Sequence, residues 1–100
     1  MESRIIGEAL EITFNKDLVA SNLDEQLTTA KSFLAENQEV KEVKINMENV
    51  KEIDSLGINL IVGLYKQVSK DDKKFSVINT SKQIINLFNL FKLSSYFDVS

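Results

Sequence analysis

The side chains best suited to chemistry in this chain stand together in one short segment. Residues 53–58 read Ile-Asp-Ser-Leu-Gly-Ile, so the carboxylate of Asp54 directly precedes the hydroxyl of Ser55. A serine hydroxyl that is open to solvent can accept a phosphate from a kinase, which adds about −1.5 to −2 charges at pH 7. Reversible phosphorylation of Ser55 is therefore the first chemistry to consider.

The same two side chains also have a purely structural interpretation. Asp and Ser are both favoured at the N-cap of a helix, where a side-chain oxygen accepts a backbone N–H bond. Gly57 would then only permit close packing in the first helical turn. From the residues alone, capping by Asp54 or Ser55 is the commoner outcome. A phosphate on Ser55 would be favoured by the helix dipole and opposed by Asp54.

Three acidic residues near this segment form a candidate metal site. Glu48, Glu52 and Asp54 surround the end of a predicted strand, the edge where ligands of open α/β sheets usually bind. Carboxylate oxygens suit Mg²⁺, although loop carboxylates are more often simply solvated. The Asp71-Asp72 pair, in a turn flanked by lysines, is expected to be solvated. A metal-assisted enzyme or small-ligand binder built on the first three residues stays open as an alternative.

Missing residue types exclude most other catalytic sites. The chain contains no histidine and no cysteine. Without them there is no disulfide, no thiol nucleophile, and neither the commonest general base nor the usual transition-metal ligands. The three glycines are scattered, so neither of the common glycine-rich phosphate loops occurs. We therefore expect a binding protein that is not an enzyme and needs no cofactor.

Length and charge limit the partners. The chain has 100 residues, 43% of them hydrophobic and 27% charged, which suits one globular domain spanning residues 1–100. The net charge is −3, and residues 1–50 contain ten acidic residues against five basic ones. An acidic chain is a poor candidate for direct binding of nucleic acid. The longest apolar run, Leu60–Leu64, is far shorter than the roughly 20 residues of a membrane span. A soluble, cytoplasmic protein is expected.

The chemical residues must be positioned by the elements around them. Alternating or short apolar runs predict the strands Arg4–Ile6, Leu10–Phe14, Val43–Met47, Phe75–Ile78 and Tyr96–Val99. Apolar residues at helical spacing predict the helices Leu23–Glu36, Ser55–Lys70 and a short one over Ile84–Phe91. Gly7-Glu8 suits a tight turn between the first two strands. Asn22, with Glu25 three residues on, predicts a capping box, and Ser81 predicts another cap.

The resulting order is ββαβαβαβ. Strands that alternate with helices favour an α/β layer fold with a mixed, mostly parallel sheet of four to five strands. Because such crossovers are right-handed, the helices are expected mainly on one face of the sheet.

The segment around Ser55 resembles the STAS family, and specifically bacterial anti-sigma-factor antagonists. An apolar strand, Val43–Met47, leads through a loop into Asp54-Ser55-Leu56-Gly57, which is similar to the family's Asp-Ser-x-Gly signature. The following residues, 58–67, resemble the helix after that signature. Phe75–Asn79 and Ile84–Leu93 resemble the family's last strand–helix unit. The resemblance covers roughly residues 10–99.

The resemblance implies a partner-switching protein. In the family, the serine after the aspartate is phosphorylated by an anti-sigma factor that is itself a serine kinase, and that position is Ser55 here. The unphosphorylated antagonist binds the kinase and releases a sigma factor, the phosphorylated form dissociates, and a serine phosphatase resets it. Asp54, Leu56, Gly57, Ile58 and Asn59 are then the expected partner-binding residues.

The chain departs from the family pattern at a few positions. Val19 stands where an acidic residue often contacts the kinase, although Asp17 and Asp24 are near. Asn59 replaces a common glycine, and Phe91-Lys92 replaces a frequent Ser-Gly pair.

The leading hypothesis is a phosphorylation-controlled binding module that is a monomer or weak dimer. The alternative from the same family is a scaffold subunit of a larger signalling or transport assembly that needs no phosphate.

Overall fold

The chain folds as an N-terminal hairpin followed by alternating helices and strands. A computed structural model describes residues 1–100. The strands are β1 (Glu2–Ile6), β2 (Ala9–Thr13), β3 (Glu42–Asn46), β4 (Lys74–Ile78) and β5 (Asp98–Val99). The helices are α1 (Leu23–Glu36), α2 (Ser55–Lys70) and α3 (Lys82–Leu90), with 3₁₀ turns at Ala20–Asn22 and Leu93–Ser95. The predicted order of elements is confirmed.

The five strands form one sheet in the order β1-β2-β3-β4-β5. β1 is antiparallel to β2, and every other neighbouring pair is parallel. Parallel neighbours need a crossover connection, which α1, α2 and α3 supply in turn. The mixed, mostly parallel sheet of the prediction is therefore confirmed.

One hydrophobic core lies between the helices and one face of the sheet. In register across β2, β3 and β4, Leu10 stands beside Val43 and Phe75, and Ile12 stands beside Ile45 and Val77. These rows are buried together with residues from all three helices, among them Ala30, Ile61, Leu64, Val68, Ile84 and Phe88. The other face of the sheet carries polar side chains such as Lys44 and Ser76. None of the helices is long and apolar enough to cross a membrane.

Glu11 is a buried charged residue on β2. It is 5% exposed although it points to the polar face of the sheet. Arg4 on the neighbouring strand donates from Nε to its Oε2 at 2.9 Å. Burial of this carboxylate is tolerated because an opposite charge is hydrogen-bonded to it.

The C-terminal strand is shorter than predicted. Residues Leu93–Ser95 form a 3₁₀ turn, and β5 begins only at Asp98. Phe97 is buried, with its ring 5.0 Å from the Phe75 ring in an edge-on arrangement. Anchoring Phe97 in this aromatic cluster holds the backbone away from β4 until Asp98.

The predicted capping box at the start of α1 is wrong. The Asn22 side chain makes no cap hydrogen bond and instead donates from Nδ2 to the Asp17 carbonyl at 3.2 Å. Glu25 lies 3.7 Å from Lys16 in an exposed ion pair. At α3, by contrast, Ser81 Oγ accepts from the Ile84 N–H at 3.3 Å, so the second predicted cap is confirmed.

Candidate functional site

The candidate site lies where the loop after β2 meets the loop after β3. The Leu18 N–H donates to the Glu52 carbonyl at 3.1 Å, and the Asp54 N–H donates to the Leu18 carbonyl at 3.1 Å. These bonds form an isolated parallel bridge between Leu18 and Ile53. Leu18 is fully buried. Residues 17–20 and 51–54, the paired loops, are thereby held against each other at the carboxyl edge of the sheet.

Two aspartates, one from each loop, join the paired loops. Asp17 Oδ1 accepts from the N–H groups of Lys51 at 2.8 Å and Glu52 at 3.2 Å. Asp54 Oδ2 accepts from the Ala20 N–H at 2.9 Å. Each carboxylate therefore satisfies backbone donors of the other loop, which would otherwise need water.

Asp54 is also the N-cap of α2. Its Oδ1 accepts from the Gly57 N–H at 2.8 Å, and its own backbone is extended, as an N-cap requires. The N–H bond from Gly57 has the largest effect on the pKa of Asp54 and lowers it, and the bond from Ala20 lowers it further. Loss of hydration acts in the opposite direction and raises the pKa, but the net shift is downward. The carboxylate is therefore ionised at neutral pH, and the question of which residue caps α2 is answered by Asp54.

Ser55 is the first residue of α2 and is exposed. None of the side-chain hydrogen bonds that join the paired loops or cap α2 involves its hydroxyl. Leu56 beside it is 52% exposed, an unusual position for a large apolar side chain. Asn59, one turn further along α2, is also exposed. These three side chains share an accessible surface at the helix start.

Two of the expected partner-binding residues are not on that surface. Ile58 is 7% exposed and belongs to the hydrophobic core. Gly57 is buried against the paired loops. A Cβ on Gly57 would collide with the Leu18 carbonyl oxygen and lie 2.8 Å from Ile53 Cγ1. Both residues position the helix start, and their contact with a partner stays a prediction.

The candidate metal site at Glu48, Glu52 and Asp54 is not formed. No group of three or more acidic residues is close enough together to hold a metal ion. Both Asp54 oxygens already accept backbone bonds, and Glu48 Oε1 lies 3.5 Å from Asn46 Nδ2.

Sequence reasoning missed the role of Asp17. Its backbone carbonyl accepts from the side-chain amides of Asn22 and Gln26, and its carboxylate holds the opposite loop. The available signal was the polar break at residues 15–17 between a strand and a helix. That break indicates a loop but does not identify a bonding partner 34 residues away.

Comparison with known proteins places this arrangement in a family. A sequence model described as the STAS domain matches residues 1–100. The chain belongs to the STAS domain family. The resemblance inferred from the strand, the Asp-Ser-x-Gly signature and the following helix is thereby confirmed.

Curated relatives of this STAS domain are named for a regulatory role. An anti-sigma-B factor antagonist of Staphylococcus aureus is 32% identical over 60 residues, covering 60% of this chain and 56% of that protein. The similarly named protein of Staphylococcus epidermidis is 32% identical over 59 residues, covering 59% of this chain and 55% of that protein. The chain thus spans little more than half the length of these relatives.

Solved structures share the fold of this STAS domain. A crystal structure from Thermotoga maritima has a TM-score of 0.80 at 18% identity and covers 98% of this chain and 83% of its own. The Bacillus cell fate determinant SpoIIAA in its phosphorylated form has a TM-score of 0.70 at 18% identity, covering 99% of this chain and 89% of its own. SpoIIAA, described as an anti-sigma factor antagonist, was also solved unphosphorylated, with a TM-score of 0.66 at 19% identity, covering 89% and 81%.

Proposed function

We propose that this STAS domain is a phosphorylation-controlled binding protein of the anti-sigma-factor antagonist type. In the unphosphorylated state it binds a serine kinase that is an anti-sigma factor, and phosphorylation of Ser55 ends that binding. A serine phosphatase restores the first state. The domain itself supplies no catalytic group and holds no cofactor, because the ATP belongs to the kinase.

The observation that carries this proposal is that Asp54, and not Ser55, makes the hydrogen bonds that hold the helix start. Asp54 caps α2 and holds the paired loops with its two oxygens. The exposed Ser55 hydroxyl contributes to neither task, so it can be modified without unfolding the helix start. The paired loops meanwhile hold Ser55 in a defined place, as a kinase active site requires.

A phosphate on Ser55 would meet both favourable and unfavourable local charges. The N–H groups of Ser55 and Leu56 lie in the first turn of α2, where the helix dipole favours an anion. The ionised Asp54 directly beside the phosphate repels it. These two effects oppose each other within the domain, so the larger consequence falls on any partner surface packed against the helix start.

The docking surface extends along one face of α2. At 100° per residue, Ser55, Leu56, Asn59, Gly63 and Lys66 lie within about a third of the helix circumference. Leu56 supplies an exposed apolar contact close to the phosphate position. Gly63 is exposed, and apart from its chain neighbours and the backbone of α2 no atom lies within 4 Å of where its Cβ would stand. The backbone of a partner can therefore approach α2 closely at this point.

The proposal is tested by a matched set of baits in source-cell extract. Wild type, Ser55→Asp and Ser69→Asp are used for capture, and wild type from the same cells is analysed by intact mass. Ser69 is exposed on the same helix, so it controls for an added carboxylate away from the helix start. The captured protein is then purified and incubated with ATP and either wild type or Ser55→Ala.

The expected result is one partner that wild type and Ser69→Asp retain and Ser55→Asp loses. That partner phosphorylates wild type once and leaves Ser55→Ala unmodified. If all three baits retain the same partners and no phosphate appears on wild type, Ser55 has no switching role. The scaffold function, which needs no phosphate, then replaces the present proposal.

A further inference from the structure

The strand β1 leaves one edge of the sheet unpaired. All five residues of β1 are exposed, and β1 pairs only with β2. Natural proteins usually protect such an edge with charged side chains, Pro, a bulge or a very short strand. β1 carries Glu2 and Arg4, but it has an ordinary length and contains neither Lys nor Pro, whereas β5 at the opposite edge has only two residues.

The hairpin geometry determines which backbone groups of β1 are free. Gly7 and Glu8 form a two-residue turn with Gly7 at φ 62, as in a type II′ turn. Such a turn is closed by a hydrogen-bonded pair, here Ile6 and Ala9. Bonded and non-bonded pairs alternate along an antiparallel ladder. The N–H and C=O groups of Ser3 and Ile5 therefore point away from β2.

Two apolar side chains, Met1 and Ile5, lie on the helix side of β1 beside these free backbone groups, and together they are called the apolar strip. Ile5 lies beside Leu10 on the helix side of the sheet and is still 49% exposed. The helices therefore do not cover β1, and another strand has room beside it. Met1, on the same side, is partly buried against the core.

We propose that β1 pairs antiparallel with β1 of a second copy of this chain, with Ser3 opposite Ser3 of that copy. The two sheets become one continuous sheet across a two-fold axis. Met1 of each copy then stands opposite Ile5 of the other, which covers the apolar strip. Glu2 of each copy stands opposite Arg4 of the other.

The charges of Glu2 and Arg4 favour this register over one that is shifted by two residues. A shift of two residues would place Arg4 opposite Arg4 of the second copy, and like charges directly opposite each other are destabilising. In the proposed register two Glu–Arg pairs form by symmetry. Arg4 uses Nε for Glu11 within its own chain, so the rest of its planar guanidinium is free for Glu2 of the second copy.

Engineered cysteines test the register directly, because the chain has none of its own. Opposite residues of a hydrogen-bonded pair have Cα atoms about 5.5 Å apart, within the range of a disulfide. Ser3→Cys should therefore form a covalent dimer on mild oxidation. Ile5→Cys should not, since Ile5 and Ile5 of the second copy would be about 13 Å apart. Ser32→Cys lies on the exposed side of α1, so its rate of covalent dimer formation gives the background that random collision produces.

Self-association of the unmodified protein is measured by sedimentation equilibrium. The average mass of wild type should rise with protein concentration. Glu2→Lys replaces two attractive pairs by two repulsive ones and should weaken the dimer about tenfold. Glu36→Lys makes the same change of charge at the end of α1 and should leave association unchanged.

Two results overturn the proposal. One is a wild type of monomer mass at every concentration, with Ser3→Cys crosslinking no faster than Ser32→Cys. The other is a dimer that Ile5→Cys captures faster than Ser3→Cys, since its register would differ from the one proposed. Neither result bears on phosphorylation at Ser55, so this inference and the proposed function fail independently.

Discussion

At the scale of single residues, the site depends on one carboxylate that serves two structural purposes. Asp54 holds the first turn of α2 through Gly57 and the opposite loop through Ala20. Asp54 is only partly buried, but two backbone donors lose their partner if it is removed. The hydroxyl of its neighbour Ser55 makes none of the hydrogen bonds that join the paired loops.

We expect Asp54→Ala to destabilise the domain clearly more than Asp54→Asn does. Asn keeps an oxygen that can cap α2, whereas Ala leaves the donors of Gly57 and Ala20 unpaired. Urea unfolding midpoints at neutral pH measure the difference. Equal midpoints for the two variants would show that the N–H bonds to Asp54 contribute nothing to folding.

The contribution of Asp54 should depend on pH in a defined direction. N–H bonds from Gly57 and Ala20 lower its pKa in the folded state. The stabilisation is therefore fully present above the ordinary pKa of about 3.9 and is lost as the pH falls through the lower folded value. Unfolding free energies over a pH series should show the advantage of wild type over Asp54→Asn shrinking only in that acidic range. An advantage that shrinks near neutral pH would contradict this assignment.

Gly57→Ala is expected to lower stability by about 1–3 kcal/mol, as overpacking does. The added Cβ meets the Leu18 carbonyl oxygen, and a backbone atom held in the paired loops cannot turn aside like a flexible side chain. Denaturant unfolding measures the loss. A neutral effect would mean that the paired loops separate more easily than their hydrogen bonds indicate.

Residue roles were predictable where they depend on local pattern. Asp54 at a cap and Ser55 at a helix start follow from their place before an apolar helical repeat. The burial of Ile58 follows in the same way, because it stands three residues before Ile61 in the apolar repeat of α2. The bonds of Asp17 do not, because they depend on how the loop after β2 packs against the loop after β3. That packing joins residues more than thirty positions apart, and no local periodicity records it.

At the scale of elements, α1 and α2 are the parts of the fold that prediction described most accurately. The predicted bounds of α2, Ser55–Lys70, are those of the structure, as are the bounds of α1. Both helices have long apolar repeats, which make the helical period unambiguous. The last strand was misjudged because its aromatic residues suit a strand equally well when their real role is to fill the core.

Gly63→Ala should raise stability and weaken docking at the same time. Alanine is favoured over glycine inside a helix by about 0.5–1 kcal/mol, and the position is open to solvent. Thermal unfolding measures the gain. The affinity for the captured kinase should fall, because the added methyl group stands on the proposed docking face. Gly57→Ala is the matched comparison, with a loss of stability expected from the same change of side chain.

An unchanged affinity of Gly63→Ala would remove this position from the docking surface. It would leave the phosphorylation of Ser55 untouched, since the substitution lies two turns away along α2.

At the scale of the whole molecule, a single helix layer on one sheet face makes the core thin. Domains of this size are stabilised by about 5–15 kcal/mol in total. The central strand β3 contributes to every row of the core through Val43 and Ile45. Damage at its centre is therefore expected to affect all elements together.

Ile45→Ala should lower the free energy of unfolding by about 2–5 kcal/mol, because Ile45 is fully buried. Leu90→Ala, at a position 75% exposed, should change it by no more than about 0.5 kcal/mol. Chemical denaturation of the two variants beside wild type makes the comparison. A similar loss at both positions would contradict the described placement of the core.

The bridge between Leu18 and Ile53 determines when, during synthesis of the chain, the surroundings of Ser55 can form. A ribosome completes the loop after β2 long before it completes the loop after β3, and neither loop can take its final shape alone. The surroundings of Ser55 therefore arise only once β2 and β3 have paired and α2 has begun. An enzyme that acts on this serine through those surroundings would modify finished, folded chains and pass over nascent or misfolded ones. Phosphate on Ser55 would then also record that the chain had folded.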